Sequence, residues 1–196
     1  MFRDEQERLF SVLLVLFILS RLFLYLMTYY TADDAFITYR YAANIASGKG
    51  FVFNPEERVQ GASSPLYTLV LAAIGFLLGP QSIPVASKMI GSISEVISFV
   101  LLWKILKGLS LNARFVACVL IAMYPKVVLV DISGMEASIT VLLMILSAYY
   151  ITYNVKPSIA LVLLGVLLVT RLDSIAWVIV CIFWICLLYT SPSPRD

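Results

Sequence analysis

Long apolar runs separated by short polar segments dominate the pattern along this chain. The runs cover residues 9–30, 82–106, 115–131, 136–153, 157–170 and 174–185. A helix that crosses a membrane needs roughly 20 apolar residues, and the longer runs meet that length. The pattern therefore predicts an all-α polytopic membrane protein.

The composition supports the same class and excludes several others. Of the 196 residues, 61% are hydrophobic and 13% are charged, with a mean hydropathy of +0.95. Soluble domains average about 45–50% apolar and about 25% charged residues. The absence of histidine excludes histidine-based catalysis and histidine metal ligands. The sequence contains no basic run or zinc-type spacing that would indicate binding to nucleic acid, and its three cysteines form no C-x-x-C pair.

One further apolar segment, residues 63–80, is too short to be counted with the others. Basic residues favour the cytoplasmic side of a membrane, which places the N-terminus and the connector 107–114 there. The chain must then cross an odd number of times between the outer loop 31–63 and that connector. Because its uninterrupted apolar run, Leu66–Leu78, is shorter than a span, segment 63–80 is expected to lie along the outer surface.

In this topology, six charged residues fall at the outer face. The topology follows from basic residues in other loops, so the collection of these charges on one side is independent support for a site there. The set consists of Asp33, Asp34, Asp131, Glu136, Arg171 and Asp173. The stretch 33–47 predicts an interfacial helix that ends at a glycine stop signal. Asp33 and Arg40, seven residues apart, share one face of it.

Several of the charged residues at this face also have a structural interpretation. Asp33 and Asp34 suit a helix N-cap, and Glu136 suits a helix N-terminus, where it complements the dipole. Arg40 is long enough to reach lipid headgroups. Arg171 and Asp173 are close enough in sequence to pair and end a helix.

Residues 33–72, "DDAFITYRYAANIASGKGFVFNPEERVQGASSPLYTLVLA", resemble the first outer loop of GT-C membrane glycosyltransferases. The nearest subgroup is the arabinofuranosyltransferase-like bacterial proteins. "SGME" at 133–136 and "TRLDS" at 170–174 resemble later positions of the pattern. The usual form of the last motif is closer to T-R-P-E-G, from which Leu172 and Asp173 depart.

The resemblance implies a GT-C-like transmembrane helix bundle whose outer first loop, within residues 31–80, carries interfacial helices. It also implies an inverting glycosyltransferase at the outer face of the bacterial cytoplasmic membrane. The donor would be a sugar linked to polyprenyl phosphate, and the acceptor a glycan, a lipid or a protein. Neither nucleic acid nor a cofactor is expected.

The resemblance also assigns roles to residues. An aspartate of the first outer loop acts as the base; Asp33 is preferred and Asp34 is the alternative. The candidates for binding the donor phosphate or the substrate are Arg40, Lys49, Arg58, Glu136 and Arg171. A divalent metal, which some relatives use, is not expected here; its ligands would be Asp33, Asp34 and Glu136.

Two further interpretations concern the chain as a whole. Residues 186–196, "CLLYTSPSPRD", look like the read-through of a sequencing adapter, so we expect the natural protein to continue beyond the membrane module 1–185. The alternative function is a transporter or lipid-handling protein without transferase chemistry. Pro125-Lys126, inside an apolar segment, would mark the discontinuous helix that transporters often contain.

Overall fold

In the computed structural model, residues 2–28, 30–55, 59, 61–154 and 156–190 are described. The regular secondary structure of these residues consists of α-helices and short 3₁₀ or π-helical turns, with no β-strand among them. The α-helices are α1 (Phe2–Met27), α2 (Asp33–Ala46), α3 (Pro65–Leu78), α4 (Ile83–Ile105), α5 (Leu111–Met123), α6 (Pro125–Ile132), α7 (Ala137–Tyr149), α8 (Pro157–Thr170) and α9 (Ile175–Thr190). The prediction of an all-α protein is confirmed.

Two helical segments of the described chain are long and apolar enough to cross a membrane. They are Glu5–Met27, within α1, and Pro80–Gly108, which contains α4. The remaining apolar helices, α3, α5, α7, α8 and α9, have shorter apolar segments. Two candidate spans are weak support for a membrane protein, and the six crossings stay a prediction.

The apolar run 115–131, predicted as one crossing, contains a break at the Pro125 that the sequence marks. The helix is interrupted at Tyr124, whose backbone is extended with φ −67° and ψ 118°. Pro125 has no N–H to donate, and its ring disfavours the helical conformation in the residue before it. The segment therefore forms two helices, α5 and α6.

The apolar side chains collect in three clusters that place α4 between the other helices. The first joins α2 and α3 to the start of α4 and includes Tyr39, Tyr67 and Ile83. The second joins α7, α8 and α9. The third joins α1, α4 and α5. Because α4 also packs extensively against α7, the helices α2 and α3 are held beside the start of α7.

Candidate functional site

The two adjacent carboxylates lie in the first turn of α2. Ala32 is the N-cap residue and makes no side-chain capping bond, so the N-cap interpretation of Asp33 and Asp34 is wrong. They are instead the first two helical residues, where the positive end of the helix dipole stabilises negative charge. Both side chains are exposed. The backbone N–H of Ala32 donates to the carbonyl oxygen of Ser133 at 3.1 Å, which brings this helix start to the turn between α6 and α7.

A buried hydrogen-bond network lies between α2, α3, α4 and that turn. The hydroxyl groups of Tyr39 and Ser87 are 2.5 Å apart. The hydroxyls of Tyr39 and Tyr67 both lie 3.3 Å from the carbonyl oxygen of Gly134 and donate to it. Burial raises the pKa of both tyrosines above its ordinary value, so at neutral pH they are hydrogen-bond donors. The network holds the Gly134 turn against three helices.

Beside this network, a carboxylate that is almost completely buried faces an arginine. Glu136 is 3% exposed, and its Oε1 lies 3.5 Å from Nη1 of Arg171, which is 33% exposed. The negative charge of Glu136 contributes, after burial and Tyr39, to the raised pKa of Tyr67, so the carboxylate adjoins the tyrosine network. Arg171 therefore offsets a negative charge that burial alone would penalise.

Arg171 also forms a bidentate ion pair with the exposed carboxylate of Asp173. Its Nε donates to Oδ1 at 2.9 Å, and its Nη2 donates to Oδ2 at 2.6 Å. These hydrogen bonds raise the pKa of Arg171 and lower the pKa of Asp173. The pair stands directly after α8, which ends at Thr170, as the structural interpretation of these two residues expects. Arg171 thus bridges one buried and one exposed carboxylate.

The arrangement separates two kinds of carboxylate. Asp33 and Asp34 are exposed at a helix start and are accessible to an external hydroxyl group, as a general base must be. Glu136 is buried and faces a guanidinium group, so it suits positioning better than proton transfer. The two kinds of carboxylate are held near each other, because Ala32, the residue before Asp33, bonds to the turn 133–136 and Glu136 belongs to that turn.

The other predicted cations are placed differently. Arg40 donates from Nε to the carbonyl of Phe53 at 3.0 Å and from Nη2 to Oδ1 of Asn54 at 2.8 Å, and it stacks on the Phe53 ring. It therefore organises the loop after α2. Lys49 is exposed beyond the end of α2, roughly 20 Å along the helix axis from Asp33. Arg58 lies outside the described residues.

The described residues do not assemble the carboxylate set named for a metal. No group of three or more cysteine, aspartate or glutamate side chains among them is placed to hold a metal ion together. Asp33, Asp34 and Glu136 therefore do not form such a group in this structure.

Sequence reasoning missed several residues that build the site. Tyr39, Tyr67 and Ser87 form the buried network, and Lys88 donates from Nζ to the carbonyl of Tyr30 at 2.7 Å. One local signal was available: Ala35, Tyr39 and Ala42 recur at the spacing of one buried helix face. The partners of Tyr39 come from distant segments and carry no local signal.

Comparisons with protein-family models, with curated proteins and with solved structures found no match to this chain.

Proposed function

We propose that the protein is an inverting glycosyltransferase that uses a polyprenyl-phosphate-linked sugar at the outer face of the bacterial cytoplasmic membrane. The observation that carries the proposal is the convergence of the three segments that resemble GT-C enzymes. Residues 33–72, 133–136 and 170–174 are distant in sequence, yet α2 bonds to the turn 133–136, and Glu136 of that turn pairs with Arg171.

The membrane setting is supported by the apolar surface of α1. Within Glu5–Met27, the most apolar stretch has a mean hydropathy of 2.5, yet only 11% of that stretch is buried inside the molecule. Water solvates such a surface poorly, whereas lipid tails cover it without cost. The multi-pass arrangement, with α2 and α3 at the outer interface, follows from the positive-inside pattern and belongs to the same proposal.

In the proposed reaction, Asp33 is the general base and Asp34 is the alternative. The carboxylate accepts the proton of the acceptor hydroxyl while that oxygen forms a bond to the anomeric carbon of the sugar. The bond from that carbon to the phosphate oxygen breaks, and the phosphate leaves with the electron pair. Attack opposite the leaving group inverts the configuration of the anomeric carbon. A cation is required near the leaving phosphate, and Arg171, a third exposed, stands near the turn beside Asp33.

The test is a sugar-transfer assay on the protein expressed from its natural gene. Membranes that contain the protein receive a radiolabelled polyprenyl-phosphate pentose or hexose and a mixture of envelope acceptors. Loss of a general base lowers the rate by about 10²–10⁴-fold, so Asp33→Asn should be nearly inactive while inserting normally. Glu5→Gln, which changes an exposed carboxylate in the N-terminal part of α1, is the matched control and should retain full activity.

The outcomes separate the two aspartates. If Asp33→Asn is fully active and Asp34→Asn is inactive, the base is Asp34. Transfer by the double variant at the wild-type rate would refute the mechanism.

The alternative, a transporter or lipid-handling protein, is favoured by one observation. A cavity of about 240 Å³ lies beside the break between α5 and α6. It is enclosed mainly by α4, α5, α6 and α7. It is lined by apolar side chains together with the buried residues Glu95 and Ser98. A cavity beside a helix break is typical of transporter binding sites. Uptake or lipid scrambling by reconstituted vesicles, lost in Glu95→Gln, would favour this function over transfer.

A further inference from the structure

A lateral groove of about 430 Å³ runs between α1 and α4. Its walls are mainly apolar and include Ile18, Leu22, Met89 and Ile93. Leu22, Met89 and Ile93 are each more than half exposed, with values of 52%, 59% and 56%. The groove therefore opens sideways, toward the medium that surrounds the helices, and is not an internal cavity.

A lysine stands on the α4 wall of the groove. Lys88 donates from Nζ to the carbonyl oxygen of Tyr30, and Nζ lies 5.6 Å from the centre of the Tyr25 ring. An ammonium group has three N–H donors, and this carbonyl is the one hydrogen-bond acceptor found for it among the described residues. Among the described residues, no carboxylate lines the groove, so Lys88 gives it its positive charge. The groove is thus positively charged as well as apolar.

The level of Lys88 fits a lipid headgroup. The residue lies five positions after Ile83, the first residue of α4, which is about 8 Å along the helix. In the proposed topology that end of α4 faces the outside, so the ammonium group reaches the headgroup layer by extending along the helix. The apolar walls continue from there toward the membrane interior.

We propose that an anionic phospholipid of the surrounding membrane occupies this groove, with one acyl chain between α1 and α4 and its phosphate on Lys88. The sideways opening favours a bulk membrane lipid, and the positive lining favours a negative headgroup. Because Lys88 also holds the carbonyl of Tyr30, three residues before Asp33, the lipid stabilises the segment that leads into α2. This inference rests on the membrane setting of the proposed function but not on its chemistry.

The test is native mass spectrometry of the 196-residue chain, released from detergent after addition of phosphatidylglycerol or phosphatidylcholine with identical acyl chains. We expect tighter retention of phosphatidylglycerol. A lysine near an anionic lipid surface contributes about a fivefold change in binding, so Lys88→Gln should weaken phosphatidylglycerol binding about fivefold and leave phosphatidylcholine unchanged. Lys104→Gln, on the same helix and roughly 24 Å away, is the matched control and should bind as the wild type does.

A second pair of variants tests the groove itself. Ile93→Trp fills it and should lower the retention of both lipids, whereas Ile97→Trp, one turn further along α4 and outside the lining, should not. This pair decides the matter if Lys88→Gln does not fold, as judged by its thermal unfolding.

Three results would overturn the proposal: equal retention of the two lipids, equal effects of Lys88→Gln and Lys104→Gln, or normal binding by Ile93→Trp. Retention of a polyprenyl phosphate but not of phosphatidylglycerol would also overturn it and assign the groove to the donor lipid. Sugar transfer is not read in this experiment, so failure of the glycosyltransferase mechanism leaves its outcome unaffected.

Discussion

Replacing Gly134 by alanine should destabilise the protein through two separate effects at the turn between α6 and α7. The backbone of Gly134 has a φ of +78°, a conformation that side chains with a Cβ rarely adopt. An added Cβ would also overlap the Tyr39 hydroxyl and lie 3.1 Å from Oγ of Ser87. Tyr39 would therefore have to leave the position in which it bonds to Ser87 and to the Gly134 carbonyl.

The magnitude follows from adding the two effects. A residue with a Cβ in the left-handed region costs about 1–2 kcal/mol. Displacing Tyr39 breaks its buried hydrogen bonds, which costs about 1–3 kcal/mol when a polar group is left without a partner. The expected loss in the free energy of unfolding is therefore about 2–5 kcal/mol, a large part of the roughly 5–15 kcal/mol available to a typical protein.

The assay is thermal unfolding in detergent, followed by far-ultraviolet circular dichroism, with two control glycines. Gly48 has a φ of +75° but open space around its Cβ position, so Gly48→Ala should show the backbone cost of about 1–2 kcal/mol alone. Gly165, within α8, has open space and no left-handed φ, so Gly165→Ala should be neutral or stabilising by up to about 1 kcal/mol.

A double variant isolates the steric effect. Tyr39→Phe removes the hydroxyl that an added Cβ would overlap and leaves ring carbon Cζ at 3.2 Å, a contact that a small shift relieves. The combined loss in Tyr39→Phe/Gly134→Ala should therefore fall short of the sum of the two single losses by at least about 1 kcal/mol. Additive losses, or a Gly134→Ala variant no less stable than Gly48→Ala, would refute the packing described for this turn.

Three further predictions concern the charged residues. Arg171→Gln leaves Glu136 buried without its cation and should lower the free energy of unfolding by about 2 kcal/mol. The loss is smaller than for a fully buried pair because Arg171 is a third exposed. Arg171→Lys keeps the charge and should lose less stability, and equal losses in the two variants would contradict the role of charge. The pKa of Asp173 is lowered in the folded protein, so its contribution to the free energy of unfolding is present above its unfolded pKa of about 3.9 and is lost as the pH falls through the folded value. Asp173→Asn should therefore reduce the loss of stability at acid pH when the free energy of unfolding is measured against pH. Arg40→Ala should expose the loop 51–55 to proteolysis without lowering the thermal midpoint, and unchanged cleavage would show that its bonds to the loop are not needed.

Local sequence signals determined most of the helices. The prediction of α8 over 157–170 matches Pro157–Thr170, and the helix predicted over 33–47 is observed as Asp33–Ala46. Proline at the first turn and glycine after the last act on the neighbouring backbone through sterics and missing donors, so a short stretch of sequence contains the information. Pro125 acts in the same local way and divides the run 115–131 into α5 and α6.

For the site, the sequence supplied the candidate residues but not their grouping. Glu136 and Arg171 were both candidates, and only the packing of α7 against α8 brings them within 3.5 Å. Arg40 was named for the same chemistry, yet its side chain is bonded to the loop after α2. The Tyr39 network was not foreseen, because its partners lie 48 and 95 residues away.

The helical class, the apolar runs and the paired carboxylates at the start of α2 follow from local sequence. Which charges meet, which tyrosines are buried and why Gly134 must lack a side chain become visible once the helices are packed together. The physical reason is that apolar burial is non-directional: it drives helices together but does not specify which polar groups face one another. Those pairings depend on how side chains of distant segments interlock, which no local pattern encodes.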